Sequence, residues 1–352
     1  MWNMQAPNIE IIQPPSIQPV SDGEPRPFWS VMIPTYNCAN YLRETLLSVL
    51  SQDSGPERME IEVVDDCSTK DDPEAVVREL GRGRVRFFRQ SRNTGPIGNF
   101  NTCIRRARGH WLHILHGDDT VRPGYYARAE DAIAAHPNAG SVTFRYIYIF
   151  EDGHWQHLSE LESRTPGILG NEFIDRMMLT NVIMFPAMIV QRSVYEELGG
   201  FRPELVHCAD WDMWLRTVLH QPIVYDPEPL ACYRVHAAAD TARLVSTGEN
   251  VADERRFARI LSSYVPPNQA RIAYRNGRKA AAIRATRRAQ DLWRKGHRAT
   301  ALIQLREAVR SSVSPAVLMH LVRVTAWAIA REQTTSPAAQ DLHAPPRSRT
   351  VA

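Results

Sequence analysis

Residues 108–123 read RGHWLHILHGDDTVRP. The apolar run 111–115, WLHIL, marks a buried strand, and it ends on Gly117-Asp118-Asp119. Two adjacent carboxylates therefore stand where the chain leaves the sheet. The same arrangement recurs upstream. Residues 28–33 read as a first strand, 61–64 as a second and 85–88 as a third. Asn40 is expected to cap a helix with Leu42, Leu46, Val49 and Leu50 on one face, and a helix through Phe100, Cys103 and Ile104 leads into 111–115. Downstream come a helix over 125–135 and a long β-rich run over 141–150. The order βαβαβαβ is that of a doubly wound nucleotide-binding half, so the fold class is α/β.

The second half is less regular. Residues 184–190 read as a strand, followed by a short helix that stops at Gly199-Gly200, a helix over 210–219 and a last strand over 230–235. Beyond residue 249 the composition shifts. Residues 267–332 carry fourteen Lys/Arg against three Asp/Glu, with Ala and Leu at helical spacing. This assigns 249–332 to a basic α-helical C-terminal region. Residues 333–352, with Pro337, Pro345 and Pro346, read as a disordered tail, and the proline-containing 1–27 as a flexible leader.

Composition narrows the function classes. Of 352 residues, 43% are hydrophobic and 23% charged, which suits a sizeable core in a soluble protein. A formal net charge of +3 does not point to nucleic acid, and no nucleic-acid partner is expected. The five cysteines are scattered, with no CxxC pair, so neither a zinc site nor a disulfide framework is indicated, and a cytoplasmic location is expected. Residues 1–27 lack the charged and apolar regions of a signal peptide, and no apolar run reaches the roughly eighteen residues of a membrane span.

Four segments carry the chemistry: 30–37 (SVMIPTYN), 60–69 (EIEVVDDCST), 108–123, and 209–216 (ADWDMWLR). In this order and spacing they resemble the family 2 inverting glycosyltransferases, which have the GT-A fold, over about residues 28–236. The resemblance implies a GT-A-type doubly wound mixed sheet with flanking helices over 28–248, plus a C-terminal α-helical appendage. It implies that Pro34, Thr35 and Tyr36 lie nearest a nucleotide base, and that Asp66 accepts the N3–H of uracil or thymine. Cytosine has no proton there, so a carboxylate selects against it. Cys67 stands where the family usually has Gly. Arg92 and Asn93, in RNTGPIGN, match a segment near the nucleotide and phosphates.

Asp118 matches the principal metal-binding carboxylate, beside the nucleotide, and Asp119 its neighbour. The family pattern is Asp-x-Asp-Asp, and this chain has His116 at the first place. An imidazole there suits contact with ribose or with metal, and it tilts a divalent cation site towards Mn2+ over Mg2+. Asp210 matches the catalytic carboxylate, although Ala209 replaces the usual acidic residue before it. Inversion needs a base on the face opposite the leaving group. Tyr233-Arg234-Val235-His236 resembles the family's closing YRxH, which implies that His236 completes the metal or diphosphate site.

Each residue also has a plainer reading. Asp66 and Asp210 suit helix caps, Gly117-Asp118-Asp119 suits a polar turn, and His236 suits an ordinary core or surface position. Three functions are consistent with the chain. The leading one is inverting transfer from a UDP- or dTDP-sugar to a hydroxyl of a carbohydrate or lipid-linked acceptor, in polysaccharide or glycolipid assembly. The others are a non-catalytic nucleotide-sugar-binding scaffold and a sugar nucleotidyltransferase. PTYNCANYL lacks the triphosphate loop expected of the last. The basic helical region has three readings: a single tetratricopeptide-like hairpin over 289–315, an anionic-lipid contact using Trp293 or Trp327 for peripheral membrane association, or a solvated basic face.

Overall fold

The computed structural model describes residues 13–21, 23, 25–315 and 317–323. Contacts divide the chain into two compact units, 1–239 and 240–352. The expected boundary followed residue 248, so one further helix belongs to the second unit.

In chain order the first unit begins β1 (Trp29–Thr35), α1 (Ala39–Leu50), β2 (Met59–Asp65), α2 (Pro73–Gly81), β3 (Arg86–Arg89), α3 (Gly95–Arg106), β4 (Trp111–Ile114). It continues β5 (Thr120–Val121), α4 (Tyr125–Ala135), β6 (Ser141–Ile149), β7 (Trp155–Leu158), β8 (Gly167–Ile168) and α5 (Asn171–Met177). A 3-10 turn (Phe185–Ala187), β9 (Met188–Gln191), α6 (Arg192–Leu198), α7 (Ala209–His220) and β10 (Ile223–Arg234) complete it. The ten strands form one mixed sheet in the order β3-β2-β1-β4-β9-β6-β10-β5, with β7 beside β6 and β8 beside β10. This is the expected α/β mixed sheet with flanking helices.

Strands β1 and β2 are buried at every residue, as strands covered on both faces must be. They run parallel to each other and to β3 and β4, which sends their carboxyl ends to one edge. Helix α1 lays Leu42, Leu46 and Val49 on this sheet. Asn40 does not cap it. Cys38 holds the cap position without a side-chain bond, and Asp71 instead accepts from the Ala39 N–H at 2.7 Å. Residues 184–190 divide into the 3-10 turn and β9, because Pro186 lacks the N–H a strand would use.

Part of the expected leader is docked. Ile17 is buried, Pro15 O accepts from Gly200 N at 2.8 Å, and Gln18 O accepts from Arg192 at 3.0 Å. Gly199, at φ +79, admits this approach, since a Cβ there would lie 2.9 Å from Pro14. Residues 1–12 lie outside the described residues.

The second unit holds α8 (Asp240–Thr247), α9 (Glu249–Leu261), α10 (Pro267–Arg294) and α11 (Arg298–Ser311). Ala281, Ala282, Ala285 and Ala289 form the buried face of α10. At Gly277 a Cβ would meet that of Ala258 at 2.9 Å, so small residues let α9 and α10 approach closely. The helix–Gly–helix pattern over 289–315 is α10 turning at Gly296, φ +83, into α11. Its basic residues are partly neutralised from within, by Arg284–Glu254 at 2.6 Å and Arg255–Glu307 at 2.7 Å. Trp327 and the tail 333–352 lie outside the described residues. No helix among the described residues is long and apolar enough to cross a membrane.

Candidate active site

Open α/β sheets bind ligands beyond the carboxyl ends of their parallel strands, and the ends of β1, β2 and β4 are knitted together here. Thr35 O accepts from Asp66 N at 2.9 Å and Pro34 O from Gly117 N at 3.0 Å. Gly117 sits in a crowded place: a Cβ would stand 3.1 Å from both Cys38 Sγ and Thr35 Oγ1. Asn37, at φ +51, turns back and accepts from Thr69 N at 2.9 Å and Lys70 N at 3.0 Å. Cys67 sits at φ +63 in the tip of the β2 loop, the conformation that glycine adopts without strain.

Six of the expected nucleotide-binding residues lie along this edge. Thr35, Asp66 and Asn93 are joined by hydrogen bonds, Pro34 is bonded to Gly117, and Tyr36 and Arg92 are exposed beside them. The Asp66 carboxylate accepts from the Thr94 N–H and the Thr94 hydroxyl, each at 2.8 Å. Asp66 therefore tethers the start of α3. Burial raises its pKa against the pull of those bonds. A carboxylate has about four acceptor positions, so these bonds orient it without exhausting it.

After β4, His116, Asp118 and Asp119 bring their ligand atoms within 4.8 Å of one another. Asp119 is 1% exposed. One of its oxygens accepts from Arg234 N at 2.8 Å, and the other is buried with no partner among the described residues. Burial, reinforced by the charge of Asp118, pushes its pKa well above the ordinary 3.8. Burial is the largest influence on Asp118 and opposes its ionisation, but the hydrogen bond from His236 and the neighbouring histidines together leave that carboxyl lowered. His116 stacks on Phe100 with ring centroids 4.8 Å apart and packs on Phe185 at 4.2 Å. Burial lowers its pKa to about 4, so the imidazole is neutral, and its Nε2 is likewise unpartnered. Two adjacent carboxylates, a neutral imidazole and orphaned buried atoms fit a divalent cation that accepts mixed nitrogen and oxygen ligands. They suit Mn2+ better than Mg2+, which favours oxygen alone.

His236 takes a different place from the three. Its Nε2 lies 3.0 Å from Asp118 Oδ2, so it supports a carboxylate of the cluster. Tyr41 of α1 covers it, with centroids 4.9 Å apart. Arg234, which the YRxH resemblance places close to this site, makes more contacts here than the motif alone indicates. The Arg234 side chain donates to Asp118 O at 2.8 Å and Glu151 O at 2.9 Å, pairs with Glu44 at 2.5 Å and lies over the Tyr41 ring. With its backbone bond to Asp119, it clamps the whole turn. The available signal was its position in YRVH, two residues before His236.

Asp210 is the second residue of α7, where the helix dipole favours a negative charge. Cys208, and not Asp210, occupies the cap position. The Asp210 carboxylate accepts from Trp211 N at 2.7 Å and from the Asn181 amide at 2.9 Å. Asn181 lies in a loop where no motif was visible. Trp211 and Trp214 are both buried, and Trp214 packs on Phe185, the ring that also touches His116.

Residues 30–199 match the sequence profile described as "Glycosyl transferase family 2". The chain is 31% identical over 272 residues to the uncharacterized protein MT1568 of Mycobacterium tuberculosis, covering 72% of this chain and 82% of that one. It is 38% identical over 112 residues to the succinoglycan biosynthesis protein ExoO of Rhizobium meliloti, covering 32% and 30%. Among solved structures it is similar to Staphylococcus aureus TarS in complex with UDP-GlcNAc, with a TM-score of 0.56, 18% identity and coverage of 80% and 91%. It is also similar to the mannosyltransferase PcManGT of Pyrobaculum calidifontis in complex with GDP-Man and Mn2+, with a TM-score of 0.51, 18% identity and coverage of 94% and 86%. The four motifs, the mixed sheet that carries them and these likenesses agree: the chain belongs to glycosyl transferase family 2.

Proposed function

We propose that this glycosyltransferase moves a sugar from a UDP- or dTDP-sugar to an acceptor hydroxyl with inversion at the anomeric carbon. The observation that carries the reading is the buried group His116, Asp118 and Asp119, with its unpartnered carboxylate oxygen and imidazole nitrogen at the carboxyl edge of the sheet. These three residues would hold a divalent cation, with His236 and Arg234 fixing Asp118 and Asp119. When bound, such a cation offsets the charge of a diphosphate and acts as a Lewis acid. PcManGT, solved with Mn2+, supports that assignment.

Asp66 reads the base through a charge-assisted acceptor, with Pro34, Thr35 and Tyr36 forming the rest of its cradle and Arg92 and Asn93 the phosphate side. The neighbour bound to UDP-GlcNAc supports a uracil nucleotide. Asp210 takes the proton of the acceptor hydroxyl as its oxygen attacks. The nucleoside diphosphate leaves with the electron pair of the sugar–phosphate bond. A single carboxylate performs this, and no covalent sugar–enzyme intermediate is needed. ExoO's role in succinoglycan biosynthesis supports a carbohydrate or lipid-linked acceptor in polysaccharide assembly.

The test is release of nucleoside diphosphate from a panel of UDP-, dTDP-, GDP- and CDP-sugars with Mn2+ or Mg2+. Metal-dependent release confined to uracil or thymine donors, and lost in Asp210→Asn while nucleotide still binds, is the expected result. Binding with no turnover on a broad acceptor panel would overturn it in favour of a scaffold. Pyrophosphate release from a nucleoside triphosphate and a sugar phosphate would indicate a nucleotidyltransferase.

A further inference from the structure

The loop between α5 and the 3-10 turn makes one side-chain contact with the candidate base. Asn181 Nδ2 donates to Asp210 Oδ2 at 2.9 Å. Asn181 Oδ1 accepts from Ile183 N at 3.2 Å, and this second bond settles which end of the amide faces the carboxylate. Trp211 N from its own helix thus donates to one oxygen of Asp210, and Asn181 from across the loop donates to the other. The loop runs directly into Phe185, which packs on both His116 and Trp214. The segment that holds the carboxylate is therefore the one seated against the metal-type cluster.

We propose that Asn181 is a positioning residue for glycosyl transfer, orienting Asp210 for proton abstraction by a hydrogen bond that favours its ionised form. The proposal rests on the reading of Asp210 as the base. The reaction needs a carboxylate that is ionised beforehand and aimed at the acceptor O–H. An N–H donor on one oxygen stabilises the anion and fixes the plane of the group. The bond weakens once the proton has moved, so Asn181 holds the base in its working state and takes no proton itself. Asp210 also has neighbours on other elements. Tyr146 of β6 feels its charge, and the Tyr146 hydroxyl, raised chiefly by burial, is anchored to Val182 O of the same loop at 3.3 Å. On α7 itself, Asp212 is paired with Arg216 at 2.9 Å and Arg202 at 3.3 Å. From the α5 side, Met177 O accepts from Trp211 Nε1 at 2.6 Å.

The test uses the full chain and three variants, Asn181→Ala, Asn181→Asp and Asn181→His. Rates of UDP release from UDP-GlcNAc with Mn2+ are followed against pH, and 13C NMR follows the Asp210 carboxyl, assigned with Asp210→Asn. Loss of one charge-assisted bond in Asn181→Ala is expected to lower kcat about tenfold, with KM for the donor within about twofold. The acid limb of kcat and the Asp210 titration both move to higher pH, by about one pH unit. Asn181→Asp moves them further, and Asn181→His, which can still donate, recovers part of the rate. An unmoved Asp210 titration in Asn181→Ala, with or without a fall in melting temperature, overturns the proposal and leaves a structural role only. Full turnover in Asp210→Asn would instead sink the reading of the base, so the two failures are told apart. The NMR arm decides the matter even where UDP-GlcNAc does not turn over.

Discussion

Cys67 and His116 are two of the places where this chain departs from its family, and the structure gives each a physical consequence. Cys67 stands at φ +63, where a Cβ crowds the following carbonyl at a cost of roughly 1 kcal/mol, which explains the family's glycine. Glycine also loses more backbone entropy on folding, so Cys67→Gly is expected to stabilise by less than about 1 kcal/mol. Cys67→Val, branched at Cβ, is expected to cost about 1–2 kcal/mol. Urea denaturation of the two variants reads the difference, and equal midpoints would remove the strain argument. His116 is the second departure. Its neutral ring is stacked between Phe100 and Phe185 with Nε2 free to ligate. His116→Asp restores an all-carboxylate set, which suits Mg2+, but places a third buried carboxylate in the cluster. The variant is expected to melt lower without metal and to lose the preference for Mn2+ over Mg2+ in thermal-shift titrations. A wild-type protein with equal response to the two ions would contradict the role given to the imidazole.

At the scale of elements, the site depends on how closely the ends of β1 and β4 approach. Gly117→Ala would put a methyl within 3.1 Å of Cys38 Sγ and Thr35 Oγ1. Parting these ends is expected to cost about 1–3 kcal/mol by overpacking and to weaken binding of a nucleotide, measured by denaturation and by calorimetry with UDP. Unchanged stability would mean that the Thr35 and Cys38 side chains yield more easily than their packing implies. Strands β1, β2 and β4 and helices α4 and α7 were legible because each carries its own apolar period, and their motifs sit at strand ends where ligand groups belong. Strands β5 and β8 were not, because two residues have no period. Strand β7 is exposed at all four positions and shows no alternation. Helix α2 was implied by the βαβαβαβ order but given no bounds, although Asp72 and Pro73 are a cap and first-turn pair that the structure uses, with Asp72 accepting from Ala75 N at 3.1 Å. Arg234 stood in the quoted YRVH segment and Asn181 in no motif, but the contacts of both were hidden for a different reason. What each does depends on partners more than a hundred or about thirty residues away, and local pattern holds no record of that.

At the scale of the whole molecule, the candidate site is a source of instability that a ligand would relieve. The pKa of Asp119 is raised in the folded protein, so its contribution to stability is present below pH 3.8 and is lost as pH rises through the raised value. His116 has the opposite sense. Lowered from 6.5 to about 4, it supports the fold above pH 6.5 and withdraws that support as pH falls towards 4. His113, buried between Tyr125 and Tyr126 and lowered to about 3, adds to the acid-side loss. At neutral pH, then, His116 and His113 are neutral, while burial and the charge of Asp118 hold the Asp119 carboxyl against ionisation. A cation that binds only the folded site stabilises by about 2.7 kcal/mol at a hundredfold excess over Kd. For a unit of this size that raises Tm by roughly 5–10 °C. Protons compete for Asp119, whose pKa is raised, so the gain from Mn2+ is expected to be larger at pH 7.5 than at pH 5.5. Asp119→Asn removes the carboxyl whose ionisation burial opposes while keeping an acceptor for Arg234 N. It is therefore expected to melt higher than the metal-free wild type at pH 7.5 and to gain little from Mn2+. Differential scanning calorimetry of both proteins at the two pH values decides this. An equal Mn2+ gain in the variant would show that the strain at Asp119 and the metal response are unrelated, whereas the expected crossing makes one carboxylate the origin of both.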